Sequence, residues 1–432
     1  MNMPIAPTPV AIQEPQRARL QDVMGPGLIT GASDDDPSGI ATYSQAGAQF
    51  GYTMGWTLLF TYPLMCAIQL ISAEMGRVTG RGLAGNIRRH YPAWLLYPLV
   101  GLLVVANTIN LGADLGAMAA ALHLLIDGPT VVYIAGFALL TVVAEVFITY
   151  ARYASALRWL TLSLFAYVGS VFVVGVPWLN AARNLVLPNM SLTGGYLTVV
   201  VAVLGTTISP YLFFWQAAEE VEDERQDPAA KPLLKAPQQA PAQMARMQID
   251  TLVGMGFSNI IALFIMLTTA ATLNAHGVID IQTSSQAAEA LRPIAGRFAF
   301  TIFALGIVGT GLLAVPVLAG SAAYAVGEAL RWRVGLAQRP GRAPAFYGAI
   351  ALATLIGASL NFTPLDPIKA LFWSAVINGV AAVPIMVMIM LMASRKEVMG
   401  QFALRPLLKA FGWLATAVMT VAAIGMFATW GA

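Results

Sequence analysis

Val23 to Phe50 reads VMGPGLITGASDDDPSGIATYSQAGAQF, two apolar runs divided by Asp34, Asp35, Asp36, Pro37, Ser38 and Gly39. As one helix rising ~1.5 Å per residue, the stretch is long enough to cross a ~30 Å hydrocarbon core, with the acids near its middle. A carboxylate at that depth costs about 2.5–3.5 kcal/mol or more, so it needs a partner or a water-filled cavity. Pro37 lacks a backbone N–H, and with Gly39 it is a poor helix-interior residue, so a break is expected at the acids. Acids at the break of a membrane helix are the pattern of an ion site in a secondary transporter. A plainer reading makes one of the aspartates the N-cap of a helix starting at Pro37, with Val23 to Ala32 outside the membrane.

The composition bounds the choice. Of 432 residues, 58% are hydrophobic and 10% charged, whereas soluble domains carry about 25% charge. This is the profile of a polytopic membrane protein, one helical bundle embedded in a lipid bilayer. A net charge of +3 gives no reason to expect nucleic acid as a partner; basic residues here mark cytoplasmic loops. The one cysteine, Cys66, lies in an apolar helix and excludes an internal disulfide or a multi-cysteine metal site. There is no Walker motif, nucleophile–base pair or multi-histidine centre, so no enzyme is read here. Gly306, Gly309 and Gly311 sit in an apolar helix with no strand before them and suit close helix packing.

Taken in order, the hydropathy predicts an all-α protein of eleven transmembrane helices. Residues 1–21 read as a cytoplasmic tail, 22–394 as a transporter core with a polar cytoplasmic linker at 219–248, and 395–432 as an additional eleventh helix. Arginines cluster after helix two (Arg77, Arg81, Arg88, Arg89), helix four (Arg152, Arg158) and helix eight (Arg331, Arg333, Arg339, Arg342), with Arg395, Lys396, Arg405 and Lys409 after helix ten. That bias sets the N-terminus in the cytoplasm and the C-terminus outside, in a plasma (inner) membrane. The sixth apolar stretch is also interrupted, at Gly205-Thr-Thr-Ile-Ser-Pro-Tyr211. Pro210 frees carbonyls near Thr206 and Thr207, which suits a cation. Two broken helices five apart are the mark of an inverted five-plus-five repeat with a site at the membrane midplane.

At this point the chain resembles a family, the NRAMP metal-ion transporters, built on the leucine-transporter-like fold. The opening GPGLITGASDDDPSGIATYSQAGAQFGY is similar to the family's first-helix region, and Ile249-Asp-Thr-Leu to the start of its seventh helix. The family's Asp-Pro-Gly-Asn is here Asp36-Pro37-Ser38-Gly39, which keeps the acid and loses the asparagine. Its Met-Pro-His-Asn is here Ser209-Pro210-Tyr211-Leu212, which loses the thioether and the histidine. The resemblance implies a divergent branch in which a metal cation is the substrate and no cofactor is needed. NRAMP-related magnesium transporters also lack the methionine.

The remaining candidates, Asp34, Asp35, Asp36, Ser38, Thr206, Thr207 and Ser209, offer only oxygen, which favours hard cations such as Mg²⁺ and Mn²⁺ over soft ones. Three adjacent aspartates cannot all face one ion from a regular helix; at most two are expected to ligate. Asn107, Asn110 and Asp114 share a face of helix three, and Asn378 with Ser374 a face of helix ten. With Tyr211 they are pathway candidates. The family's proton-carrying acids on helix three align with Asn110 and Ala113, so the resemblance does not carry proton coupling to this chain. An ion-coupled carrier of amino acids or other small organic solutes shares the architecture, but three acids at the break repel a substrate carboxylate. A non-transporting scaffold gives two broken polar helices no role. A monomer is expected.

Overall fold

The computed structural model describes residues 30–31, 33–148, 162–363 and 366–430, and the regular elements among them are all helical. The expected tail at 1–21 and the loop carrying Arg152 and Arg158 lie outside the described residues. The long helices are α1 (Pro37–Phe50), α2 (Gly55–Thr79), α3 (Ala93–His123), α4 (Thr130–Phe147) and α5 (Phe165–Val173). They continue as α6, in two halves (Gly194–Thr207 and Pro210–Gln226), α7 (Ala240–Thr272), α8 (Ala299–Leu330), α9 (Pro344–Leu360), α10 (Pro367–Ala393) and α11 (Pro406–Ala428).

Eight stretches among the described residues are long and apolar enough to cross a membrane, or nine if the bent pair Leu162–Val173 and Trp178–Val186 is one span, against the eleven expected. The difference has physical sources. The helix α9 is apolar but only 17 residues long, and the start of the fifth span lies outside the described residues. Pro37–Thr79 counts as one stretch of 43 residues, about twice what a hydrocarbon core accommodates at 1.5 Å per residue. It doubles back. Gly31 packs on Gly254 and Gly47 on Met266 and Thr269, so the first helix runs parallel to α7. On α2 the order is reversed: Asn259 donates to the Leu58 carbonyl (3.1 Å) and Tyr62 to that of Leu252 (2.9 Å). The reversal occurs at Gly51, whose φ of 57° suits glycine.

Helices α1, α2, α6 and α7 pack on one another, and α3, α4, α8 and α9 form a second group; α10 touches both through α1, α3 and α6. The broken helices α1 and α6 lie antiparallel from Thr30 to Phe50 among the described residues. Thr30 meets Gln216, Asp36 meets Tyr211, and Phe50 stacks edge-on against Tyr196. The two breaks therefore face each other, as an inverted repeat requires.

Small residues allow this approach. A Cβ on Gly205 would sit 2.5 Å from the Gly379 nitrogen and 2.8 Å from its Cα, backbone that cannot swing away. Gly205→Val is expected to cost ~1–3 kcal/mol or more through overpacking, read as a lower midpoint in a thermal melt of the purified protein.

The polar stretch expected to be a linker at 219–248 is mostly helix. The second half of α6 continues to Gln226 and α7 begins at Ala240. Three of its acids are not solvated: Glu220, Glu222 and Glu224 are buried, while Asp223 and Asp227 are exposed. Arg246 bonds Glu220 at 2.5 Å, and Arg246 and Arg77 both reach Asp223. Glu222 accepts from the Tyr324 hydroxyl at 2.6 Å. Pairing with α2, α7 and α8 is what turns an acidic run into a packed helix end.

Candidate functional site

The break in the first helix follows from its sequence. A residue before proline is pushed out of the helical region, and Asp36 is extended (φ −68°, ψ 168°). Pro37 then takes the first helical position, where its missing N–H costs nothing. Asp36 Oδ1 accepts from the Gly39 N–H at 2.6 Å, so the aspartate is the N-cap of α1. The cap and the ion-site readings of the sequence thus meet in one residue, because Oδ2 points elsewhere. It accepts from Asn110 Nδ2 at 3.0 Å and from the Tyr211 hydroxyl at 3.3 Å.

In α6 the first half ends at Thr207 and Pro210 opens the second, leaving Ile208 and Ser209 outside helical geometry. The Ser209 hydroxyl lies 2.7 Å from the Gly205 carbonyl and 2.9 Å from that of Thr206. Thr207 likewise donates into its own turn, to Val203. Both hydroxyls are thus engaged with their own helix end, and only their lone pairs are free to face an ion. Thr206 differs. A Cβ on Gly39 would lie 3.1 Å from Thr206 Oγ1 and 3.3 Å from Asp36 Oδ1. The position that is asparagine in the family motif is tight for a side chain here, with the Thr206 hydroxyl against it.

Asn110 is the hub. Besides Asp36, its Nδ2 lies 3.4 Å from Asp114 Oδ2. Its Oδ1 lies 2.7 Å from Ser374 Oγ and 3.4 Å from Asn378 Nδ2. Ser374 in turn reaches Ser38 Oγ at 3.3 Å, and Ser38 donates to the Leu371 carbonyl. The structure thus joins Asp36, Ser38, Asn110, Asp114, Tyr211, Ser374 and Asn378 in one buried network from four helices. Asn107, on the same face of α3, belongs to a different contact: it bonds Ser321 and the Leu318 carbonyl on α8.

Asp34 and Asp35 turn the other way. Ser258 Oγ lies 2.6 Å from Asp34 Oδ2 and 3.0 Å from Asp35 Oδ1, and its single proton serves one at a time. Sequence reasoning missed Ser258. The signal was there in the α7 pair Gly254 and Ser258, one turn apart, which face Gly31 and the two acids. Gln216 and Gln69 were also missed; they hydrogen-bond each other beside the break, and Gln216 accepts from Thr30.

The four acids Asp34, Asp35, Asp36 and Asp114 are at most 3% exposed. None joins any ion pair among the described residues. Asp34 Oδ1 and Asp114 Oδ1 are buried with no hydrogen-bond donor. Four buried acids without a basic partner are held either protonated or beside a cation. Among the described residues no three His, Cys, Asp or Glu side chains converge as a closed metal cage.

Comparison with known proteins agrees with this architecture. Residues 27–429 match the family described as natural resistance-associated macrophage protein-like. The divalent metal cation transporter MntH of Burkholderia ambifaria is 26% identical over 428 residues, covering 96% of this chain and 90% of that protein. MntH of Yersinia pestis (strain Pestoides F) is 27% identical over 321 residues, covering 71% of this chain and 72% of its own. In fold, the chain is similar to the Eremococcus coleocola manganese transporter crystallised with an aromatic bis-isothiourea substituted compound. That match has a TM-score of 0.72 at 17% identity and covers 97% of this chain and 89% of the other. With a family match over nearly its whole length and the two facing breaks that the fold requires, the chain belongs to the natural resistance-associated macrophage protein-like family.

Proposed function

We propose that this protein carries a hard divalent metal cation, such as Mg²⁺ or Mn²⁺, across the membrane by alternating access through the break of α1 and α6. The carrying observation is the set of four buried acids with no described basic partner. The relatives' names support a divalent cation as substrate. The choice of a hard ion rests on the oxygen-only donors, Asp36, Asp34, Thr206 and the carbonyls near Thr207 and Ser209, without thioether or histidine. A partly hydrated Mg²⁺ needs few protein ligands, which suits a site without a closed cage. In this reading Asp36 and Asp34 bind directly, Thr206 and the carbonyls near Thr207 and Ser209 complete the site, and Asn110, Asp114, Tyr211 and Asn378 position it.

The group α1, α2, α6 and α7 moves against α3, α4, α8 and α9. The basic segments support the orientation with the N-terminus in the cytoplasm, because the fold gathers them at one end of the bundle. The N–H groups of Gly82 and Gly85, beside Arg81, bond Glu328, next to Arg331, and Arg395 stacks over Tyr91. The protein's three histidines, His90, His123 and His276, lie at helix ends away from the break, which supports transport that does not depend on a histidine proton relay.

The test is uptake into liposomes across Mg²⁺, Mn²⁺, Ca²⁺, Fe²⁺ and Cd²⁺ with a pH dye inside. Uptake of a hard ion without acidification is expected; proton-coupled Mn²⁺ or Fe²⁺ uptake would refute the uncoupled reading, and no metal uptake the whole of it. Ser209→Met places a thioether at the helix break and is expected to raise the preference for Cd²⁺ and Mn²⁺ over Mg²⁺ about tenfold. Unchanged selectivity would show that position 209 does not face the ion.

A further inference from the structure

Two adjoining cavities lie where α2, α7 and α11 meet, outside the network at the break. The larger, about 640 Å³, is lined by polar groups including Gln401 and by Met244 and Phe402. The smaller, about 360 Å³, is lined mainly by apolar residues, among them Leu70, Leu252, Leu408 and Phe411. Glu74, Gln248 and Arg405 line both. The apolar cavity opens beside Leu252 and Leu407, both exposed on the flanks of long apolar helices, which places its mouth toward the acyl chains of the bilayer. The polar cavity sits at the helix ends where the basic segments gather.

Three features of this pair point to a ligand. Glu74 is only 8% exposed, lies at the end of an apolar helix, and makes no ion pair among the described residues. The positive charge acting on it is that of Arg405, across the same cavity and beyond ion-pair distance, so the buried carboxylate has no direct cationic partner among the described residues. Arg405 faces the same space, exposed and without an acid within ion-pair distance. Arg405 is also the N-cap residue of α11 and supplies no side-chain cap, so the first-turn N–H groups of Leu407 and Leu408 have no partner within the helix. Both leucines line the apolar cavity. A free helix N-terminus beside an arginine is an anion site suited to phosphate.

We propose that this paired cavity binds an aminophospholipid of the surrounding leaflet. Its ammonium pairs with Glu74, its phosphate with Arg405 and the first turn of α11, and its acyl chains follow the groove over Leu70, Leu252 and Phe411. A zwitterion answers both charges. An anionic headgroup without an amine would set a second negative charge beside Glu74, and a free phosphate or amine would leave the apolar half of the site unused. The lipid fills the seam between α2 and α7 of the repeat and the extra helix α11.

The test uses the delipidated full-length protein in detergent, with phosphatidylethanolamine, phosphatidylglycerol and phosphatidylcholine of matched chains, read by native mass spectrometry and thermal melts. Phosphatidylethanolamine is expected to bind about tenfold more tightly than the other two, the scale of one charge-assisted hydrogen bond, and to raise the melting temperature. Stepwise N-methylation of the lipid, which needs no mutant, is expected to erase that advantage. Glu74→Gln is expected to lower phosphatidylethanolamine binding to the phosphatidylglycerol level, and Arg405→Gln to weaken both lipids. An advantage unchanged by N-methylation or by Glu74→Gln would overturn the proposal. So would soluble phosphoethanolamine stabilising the protein as well as the lipid does.

Discussion

Asp36→Asn is expected to reduce metal uptake by liposomes at least ~10²-fold while leaving a folded protein. The two carboxylate oxygens have separate duties, and the substitution removes only one. Oδ1 caps the Gly39 N–H, and a carboxamide oxygen does the same, so α1 still starts at Pro37. Oδ2, which faces Asn110 and Tyr211, becomes an amide N–H donor. A unit charge 4 Å from a monovalent cation contributes about 4 kcal/mol at an effective dielectric of 20; losing it beside a divalent ion removes at least two powers of ten in affinity. Binding by isothermal titration calorimetry should fall in step with uptake. Asp36→Ala separates the duties: it should abolish uptake equally and also lower stability by about 1 kcal/mol of lost capping, read as a lower melting temperature. Uptake near wild type in Asp36→Asn would take Asp36 out of the site. Asp34→Asn then tests the other side of the break, where the Ser258 hydroxyl holds the acid.

Asn110→Ala is expected to lower both stability and uptake, through a different route. The carboxamide touches Asp36, Ser374 and Asn378 from two other elements of the bundle and Asp114 from its own helix. Deleting it leaves the Asp36 carboxylate with Tyr211 as its remaining side-chain donor, and the Asn378 amide without its acceptor. Each buried polar group left unsatisfied costs ~1–3 kcal/mol, so a loss of about 2–4 kcal/mol is expected in a thermal or denaturant melt. Uptake should fall about tenfold, mainly as a higher KM, because the ion's ligand is mispositioned and not removed. Asn110→Asp is the informative companion. It keeps the shape and the acceptor toward Ser374 and Asn378, but sets a further acid against Asp36 and Asp114. If Asn110 acts only by packing, the two variants will behave alike. If its donor holds Asp36 in place, Asn110→Asp will lose uptake with little loss of volume-dependent stability.

The sequence shows why the breaks exist, because their cause is local. Proline removes an N–H and restricts its predecessor, so Asp36-Pro37 and Ser209-Pro210 interrupt their helices wherever they are placed. It likewise shows the membrane location and the clustering of arginines, since hydropathy and charge add along the chain without reference to fold. The sequence count of eleven spans rests on the same additive rule; the described structure supports eight or nine by length, and contact with α7 is needed to show that Pro37–Thr79 turns back on itself.

Tertiary contact alone decided how the acids divide. Of three consecutive aspartates the sequence singles out Asp36, which abuts the break, but it does not show that α7 brings Ser258 to Asp34 and Asp35 while α3 brings Asn110 to Asp36. The same holds for Asp114, displaced by one residue in a linear alignment but drawn to the network by the carboxamide one turn before it. It holds also for Glu220 and Glu222, whose partners Arg246 and Tyr324 come from α7 and α8. Backbone geometry depends on neighbours one to four residues away and is written in the sequence. The fate of a buried charge depends on which side chain another helix places within about 3 Å, and only the folded bundle determines that.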